Sequence, residues 1–153
     1  MDSLTQKKTE IRIQYLTQND KVEWDVLVRD YKAFYQTTTS DNEYDLAWAY
    51  LMGDEDIFGL SAKIDGRLVG FAHFLFHRTL WTQRSCYLQD LFTVPTARRC
   101  GVAQALIHVI AQHARSKRYN RLYWQTQAEN TTARALYDKV AEHRGFIRYD
   151  YPL

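Results

Sequence analysis

Apolar and polar residues alternate from Ile11 to Thr17 (IRIQYLT), which is the period of a strand. The period then lengthens. Trp24, Leu27, Val28, Tyr31 and Tyr35 fall at helical spacing, and Asp20 followed by Glu23 has the spacing of a capping box ahead of them. Thr37 to Asn42 breaks that helix. Glu43 to Met52 predicts a second, shorter helix, stopped by Gly53. Beyond it the chain reads as strands again. Phe58 to Ile64 and Arg67 to Phe76 flank Asp65-Gly66, a two-residue hairpin turn. Ser85 to Val94 predicts a third strand of this group, closed by Pro95, which cannot donate to a sheet ladder. Gly101 to Lys117 is the most regular helix, with Val102, Leu106, Val109 and Ile110 as its buried stripe. Arg121 to Thr126 reads as a strand. Thr131 to Glu142 reads as a helix carrying Ala133, Leu136, Tyr137 and Val140 on one face. Gly145 ends it, and Phe146 to Tyr151 predicts a last strand.

The order is β-α-α-β-β-β-α-β-α-β. A hairpin meander that feeds two βα units implies an α/β fold with a mixed, mostly antiparallel sheet and helices on both faces. At 153 residues the chain is the length of a single domain, 1–153, with the polar first ten residues expected to be flexible. A domain of this size buries roughly 68–70% of its unfolded surface, enough for a core without disulfides or metals.

Composition narrows the function classes. Hydrophobic residues at 46% and charged residues at 25% are those of a soluble globular protein. The net charge of +2, from 20 basic and 18 acidic residues, makes no case for a nucleic-acid partner, which needs a clustered basic face. No run of 18 apolar residues predicts a membrane span, and the N-terminus lacks the apolar core of a signal peptide. Cys86 and Cys100 have no metal-like spacing and are expected to be free thiols in a reducing cytoplasm. Aromatic residues reach 14%, which a thick core, a ring-lined pocket or a subunit interface would each explain.

The stretch Tyr87 to Ala103 (YLQDLFTVPTARRCGVA) carries the chemistry. A strand runs into a short turn, and Arg98-x-x-Gly101-x-Ala103 opens the long helix. The first N–H groups of a helix lack partners, and the helix dipole puts positive charge there. Small residues let an anion approach the backbone, and Arg98 and Arg99 add charge. A small, basic helix start with no ligand would look the same. The stretch lacks the Gly-Lys-Ser/Thr of a P-loop and the G-x-G-x-x-G of a dinucleotide fold. His73 and His77 share a strand face roughly 13 Å apart, too far to chelate one ion, and His108 and His113 are five apart on a helix, so no metal is expected.

Two motifs together resemble those of the GNAT superfamily of N-acetyltransferases. Arg98-Arg99-Cys100-Gly101-Val102-Ala103 is similar to its Q/R-x-x-G-x-G/A signature, after a strand of the form Y-L-x-D-L-F-x-V-x-P. Asn130 to Tyr137 followed by Gly145-Phe146 is similar to its N-x-x-A-x-x-L-Y…GF ending. Tyr31-x-x-Phe34-Tyr35, His77-x-x-x-Trp81 and Leu88-Gln89-Asp90-Leu91 resemble small diamine/polyamine and yeast histone-acetyltransferase-like members most. Many members have glycine in place of Arg99 and of Ala103. Polyamine-type members commonly have glutamate in place of Gln89, and glutamine cannot act as a general base.

The resemblance implies acetyl transfer from acetyl-CoA to a primary amine by direct attack. Leu91, Phe92 and Thr93 would run along the pantetheine arm, one backbone N–H polarising the thioester carbonyl. Arg98, Arg99, Cys100, Gly101, Val102, Ala103 and Gln104 would cradle the pyrophosphate. Asn130, Thr131, Thr132 and Ala133 would hold the cofactor from the other side. Tyr137 would protonate the departing sulfur, unless it is only a core ring of its helix. Asp90 would bind the amine or remove its proton through water, unless it is structural. Tyr31, Tyr35, Gln89 and Trp124 are the candidate acceptor contacts, and Phe34, Trp48 and Trp81 are further rings that could line the acceptor pocket, unless they belong to the core or a subunit interface. Asp41 to Asp45 and the cluster Asp54, Glu55 and Asp56 could draw a cationic amine. The expected acceptor is a small-molecule amine, with peptide lysine or a protein N-terminus as alternative, and a non-catalytic acyl-CoA sensor as a further one. A homodimer is expected as well.

Overall fold

The chain runs through β1 (Arg12–Tyr15), α1 (Lys21–Phe34), α2 (Asp41–Met52), β2 (Phe58–Ile64), β3 (Arg67–His77), β4 (Ser85–Thr93), α3 (Val102–Ser116), β5 (Arg121–Tyr123) and α4 (Thr131–Val140). Short 3-10 turns lie at Gln18–Asp20 and Pro95–Ala97. The computed structural model describes residues 9–53, 56–81 and 84–153. Residues 1–8 of the flexible start expected over 1–10, and Asp54 and Glu55 of the second acidic cluster, lie outside the described residues.

The five strands form one sheet in the order β1-β2-β3-β4-β5. β1 to β4 pair antiparallel, and β5 joins β4 in parallel after the α3 crossover. The β2–β3 hairpin turns at Asp65 (φ +51°) and Gly66 (φ +78°), the two left-handed residues that such a tight turn needs. One face of the sheet packs on α1 and α2 through Trp24, Leu27, Val28, Tyr44, Trp48 and Phe71. The other packs on α3 through Leu60, Phe74, Leu88, Leu106 and Ile110, with Tyr137 and Val140 of α4 at its margin. This is the α/β architecture with helices on both faces that the periodicity predicts.

Four local expectations are corrected. Asp20 and Glu23 do not form a capping box. Asp20 is 1% exposed, accepts from the Thr17 N–H at 2.8 Å and is ion-paired with Lys63. Glu23 accepts instead from the Leu68 N–H at 2.9 Å, tying α1 to β3. The capping box that opens α2 is Ser40 with Glu43, so α2 starts earlier than its apolar pattern does. The strand expected over 121–126 ends at Tyr123. The last strand, expected over Phe146 to Tyr151, is absent. A strand exists only through ladder bonds to a neighbour. The chain leaves α4 at Ala141 in extended conformation and is exposed throughout 141–153.

Candidate active site

The site begins with a bulge. His73 pairs with Asp90, but the next residue, Phe74, pairs with Leu88, so Gln89 is an extra residue in β4. A bulge bends its strand and sharpens the local twist. β5 meets β4 only along Ser85, Cys86 and Tyr87. Among the described residues, β4 therefore has no strand beside it on the β5 side from Leu88 to Thr93, and its main chain there is open to a ligand.

A pocket occupies this divergence. Tyr31, Tyr35, Leu88, Gln89, Leu91, Trp124, Gln125, Thr126 and Tyr137 line it. The structure thus gathers Tyr31, Tyr35, Gln89 and Trp124 around one opening with Tyr137, whereas Trp48 is buried in the core and Phe34 and Trp81 are exposed outside the lining. Tyr137 stands edge-on to Trp124, with ring centroids 5.3 Å apart. Burial, with a smaller contribution from Tyr35, pushes its phenol up to about 12. It is therefore a protonated hydroxyl at neutral pH, the form a proton donor needs. Tyr31 faces it from α1, edge-on to Tyr35 at 5.1 Å and to Phe71 at 5.7 Å. Its hydroxyl donates to Asp90 Oδ1 at 3.1 Å, and burial followed by the Asp90 charge drives its phenol far above the usual range.

Both carboxylate oxygens of Asp90 are hydrogen-bonded. Its Oδ2 lies 3.0 Å from His73 Nδ1, and the opposite ring nitrogen, Nε2, accepts from the Trp24 indole N–H at 3.0 Å. Burial alone would raise the Asp90 carboxyl. The hydrogen bonds from His73 and Tyr31, with Lys32 nearby, outweigh it and hold the group below its ordinary value.

The turn into α3 has the geometry of an anion cradle. Arg99 (φ +62°) and Gly101 (φ +83°) are both left-handed, and a Cβ on Gly101 would meet nothing within 4 Å. Arg99 is a non-glycine residue in a region that costs energy, which is typical of ligand loops. No side chain caps the first turn of α3, and no acidic residue sits in it, so the N–H groups of Val102, Ala103 and Gln104 keep their positive field. The residues present fit the diphosphate of a coenzyme A molecule. Arg98 folds back to Thr93 O at 3.4 Å, and Cys100 is exposed. Asn130 is the N-cap of α4: its Oδ1 accepts from the Ala133 N–H at 3.4 Å and its Nδ2 donates to Thr126 Oγ1 at 3.1 Å. This ties the start of α4, with Thr131 and Thr132 exposed, to the pocket wall.

Elsewhere the candidate residues do structural work. Asp41 is ion-paired with Arg29 at 2.8 Å and Asp45 with Lys21 at 2.9 Å, so the first acidic cluster braces α1 against α2 and is largely neutralised. His77 bonds the Tyr123 hydroxyl at 2.7 Å. Among the described residues no group of three metal-ligating side chains converges. Sequence reasoning missed the Gln89 bulge and the Trp24–His73–Asp90 chain. Its only trace was a histidine and an aspartate on neighbouring strands.

This fold and cradle define a class. The model of the acetyltransferase (GNAT) family matches residues 24–141, and the chain belongs to that family. It is an acetyl-CoA-dependent acyltransferase. Across its length it is similar to the D-amino-acid N-acetyltransferase HPA3 of Saccharomyces cerevisiae, at 29% identity over 143 residues, 91% of this chain and 89% of that protein. It is also similar to the thialysine N-epsilon-acetyltransferase of Caenorhabditis elegans, at 33% identity over 84 residues, 55% of this chain and 52% of that protein. Among solved structures, the aminoglycoside N-acetyltransferase AAC(6')-Iy in complex with CoA matches with a TM-score of 0.83 and 18% identity, covering 97% of this chain and 99% of that one.

Proposed function

We propose that the chain transfers acetyl from acetyl-CoA to the primary amine of a small molecule. The observation that carries this reading is the pocket itself, where three tyrosines and Trp124 enclose the end of the open β4 segment. The relatives point the same way: their names specify a D-amino acid and thialysine, both small amines. In this reading the diphosphate lies on Arg98 to Gln104, and the pantetheine arm runs along Leu91, Phe92 and Thr93 toward the pocket. Asn130 to Ala133 flank it. The neutral amine nitrogen attacks the thioester carbonyl, whose oxygen is met by a β4 backbone N–H. As the C–S bond breaks, Tyr137 gives its proton to the sulfur, and the proton lost by the amine leaves to solvent. Gln89 projects at the bulge without a carboxylate, which disfavours a long polyamine.

The same reading extends to the whole chain as one domain, 1–153, in the cytoplasm, where the buried Cys86 and the exposed Cys100 remain free thiols. It includes a homodimer. Phe146, Ile147, Tyr149 and Tyr151 are each at least three-quarters exposed on the terminal segment, and a second copy would cover them. Light scattering at working concentration tests this, and a single monomeric species refutes it.

The decisive experiment is an amine panel with acetyl-CoA, read by thiol release and mass spectrometry. Small primary amines, amino acids among them, are expected to be acetylated. Acetylation of peptides alone would replace this reading with a protein acceptor, and binding of CoA with no turnover would replace it with a sensor.

A further inference from the structure

An indole nitrogen can only donate a hydrogen bond. Trp24 Nε1 donates to His73 Nε2 at 3.0 Å, in a site where Trp24 is 1% and His73 6% exposed. That ring nitrogen therefore presents a lone pair and no proton, and the imidazole is neutral with its hydrogen on Nδ1. From Nδ1 it donates to Asp90 Oδ2 at 3.0 Å. Asp90 Oδ1 accepts the Tyr31 hydroxyl at 3.1 Å. Every hydrogen in the chain has one direction: Trp24 to His73, His73 to Asp90, and Tyr31 to Asp90.

We propose that Trp24, His73 and Asp90 are positioning residues that lock the Tyr31 hydroxyl hydrogen away from the pocket, so that the Tyr31 oxygen can meet the acceptor only as a hydrogen-bond acceptor. The inference rests on the amine reading above. A phenol whose hydrogen is committed inward has only lone pairs left to offer. It selects a partner that presents an N–H, and it aligns that N–H so the nitrogen lone pair is free for the thioester. Asp90 acts through Tyr31 in this scheme, without removing the amine proton itself. A proton reaching Asp90 has no exit through His73, because an imidazolium would turn Nε2–H against the indole N–H.

The surroundings are compatible. Asp90 on β4 is the ionisable group bonded to His73, with Tyr31 and Lys32 of α1 next to the carboxylate. Phe71 stacks on the imidazole at 4.6 Å and Trp24 lies tilted at 6.0 Å, and neither titrates.

Nitrogen-15 NMR of the histidines in the full-length wild-type chain reads the tautomer directly, with His73 assigned by its contact to the Trp24 indole proton. The expected result at neutral pH is a neutral ring with its hydrogen on Nδ1. A ring protonated on Nε2, or an imidazolium at neutral pH, overturns the clamp. Tyr31→Phe should lower kcat/KM for the amine about tenfold or more, the range for losing one polar contact, with Kd for CoA unchanged. Asp90→Asn should do the same, and the double variant should be no worse than the worse single. Losses that multiply would mean the two residues act independently and would overturn the proposal. Trp24→Phe should add an ionisation in the histidine range to the pH profile of kcat/KM, an effect that mere loss of packing would not produce. Failure of the amine reading is distinguishable: the wild type itself would then acetylate no primary amine, which overturns the role of Tyr31 toward substrate, whereas a wrong tautomer overturns the clamp in an enzyme that works.

Discussion

Tyr31 and Tyr137 face one pocket from opposite walls, and the two walls are packed differently. Behind Tyr31 lie Trp24, Phe71 and His73, all buried, with every polar hydrogen among them directed at a partner. Behind Tyr137 lies α4, a helix without one fully buried residue, followed by an exposed terminal segment. The first wall is rigid because its groups are fixed from several elements at once. The second is held by an Asn130 cap, one ring contact and a partly buried stripe. In the proposed reaction the hydroxyl that would protonate the sulfur sits on the lighter wall, and the hydroxyl that would sort acceptors sits on the heavier one.

The largest effect should come from the lighter wall. Tyr137→Phe keeps the ring and removes the proton donor, so turnover should fall ~10²–10⁴-fold while CoA affinity holds. Single-turnover kinetics checks this, and full activity with chemistry rate-limiting would reduce Tyr137 to a packing residue. Away from the pocket the largest effect should be on stability. Asp20→Asn leaves the partly buried Lys63 ammonium without its partner, at a cost of about 3 kcal/mol by chemical denaturation.

The same aspartate sets a pH dependence. Burial would raise its carboxyl, but the Lys63 and Thr17 hydrogen bonds win and lower it. A lowered folded value means that its contribution is complete above the unfolded value near ~3.9 and is lost as pH falls through the folded one. Wild type and Asp20→Asn should therefore differ most near neutrality and converge in strong acid. A difference that persists unchanged at low pH would assign the loss to packing alone.

Smaller in scale is the cradle. Wild type at a hundredfold excess of CoA over Kd should gain about 2.7 kcal/mol of stability. Gly101→Glu should abolish that gain, because it sets a negative side chain at a left-handed residue facing open space. A thermal shift that survives the substitution would move the diphosphate elsewhere. The smallest effect is expected from Asp41→Asn and Asp45→Asn. Both carboxylates are already paired across α1 and α2, so turnover and its salt dependence should not change. A clear loss of salt dependence would restore them as substrate-steering charges.

What was legible in the sequence was local. The period of the apolar residues located nine of the ten expected elements, because side-chain direction repeats every two residues in a strand and every 3.6 in a helix. Asp65-Gly66 announced its turn because few residues accept left-handed backbone. The family motifs pointed to a cradle at Arg98 to Ala103, since a helix start with small residues is an anion site by its own geometry. What the sequence left open depends on who the neighbour is. Phe146 to Tyr151 has the composition of a strand, but a strand needs a partner, and this segment has none within its own described chain. The extra residue at Gln89 is a matter of register between β3 and β4, and register is set by packing on both faces of the sheet. The hydrogen on His73 is placed by Trp24, 49 residues earlier in the chain, and by Asp90, 17 residues later. No local pattern carries that information, because the direction of a hydrogen bond is decided only when donor and acceptor meet in the folded core.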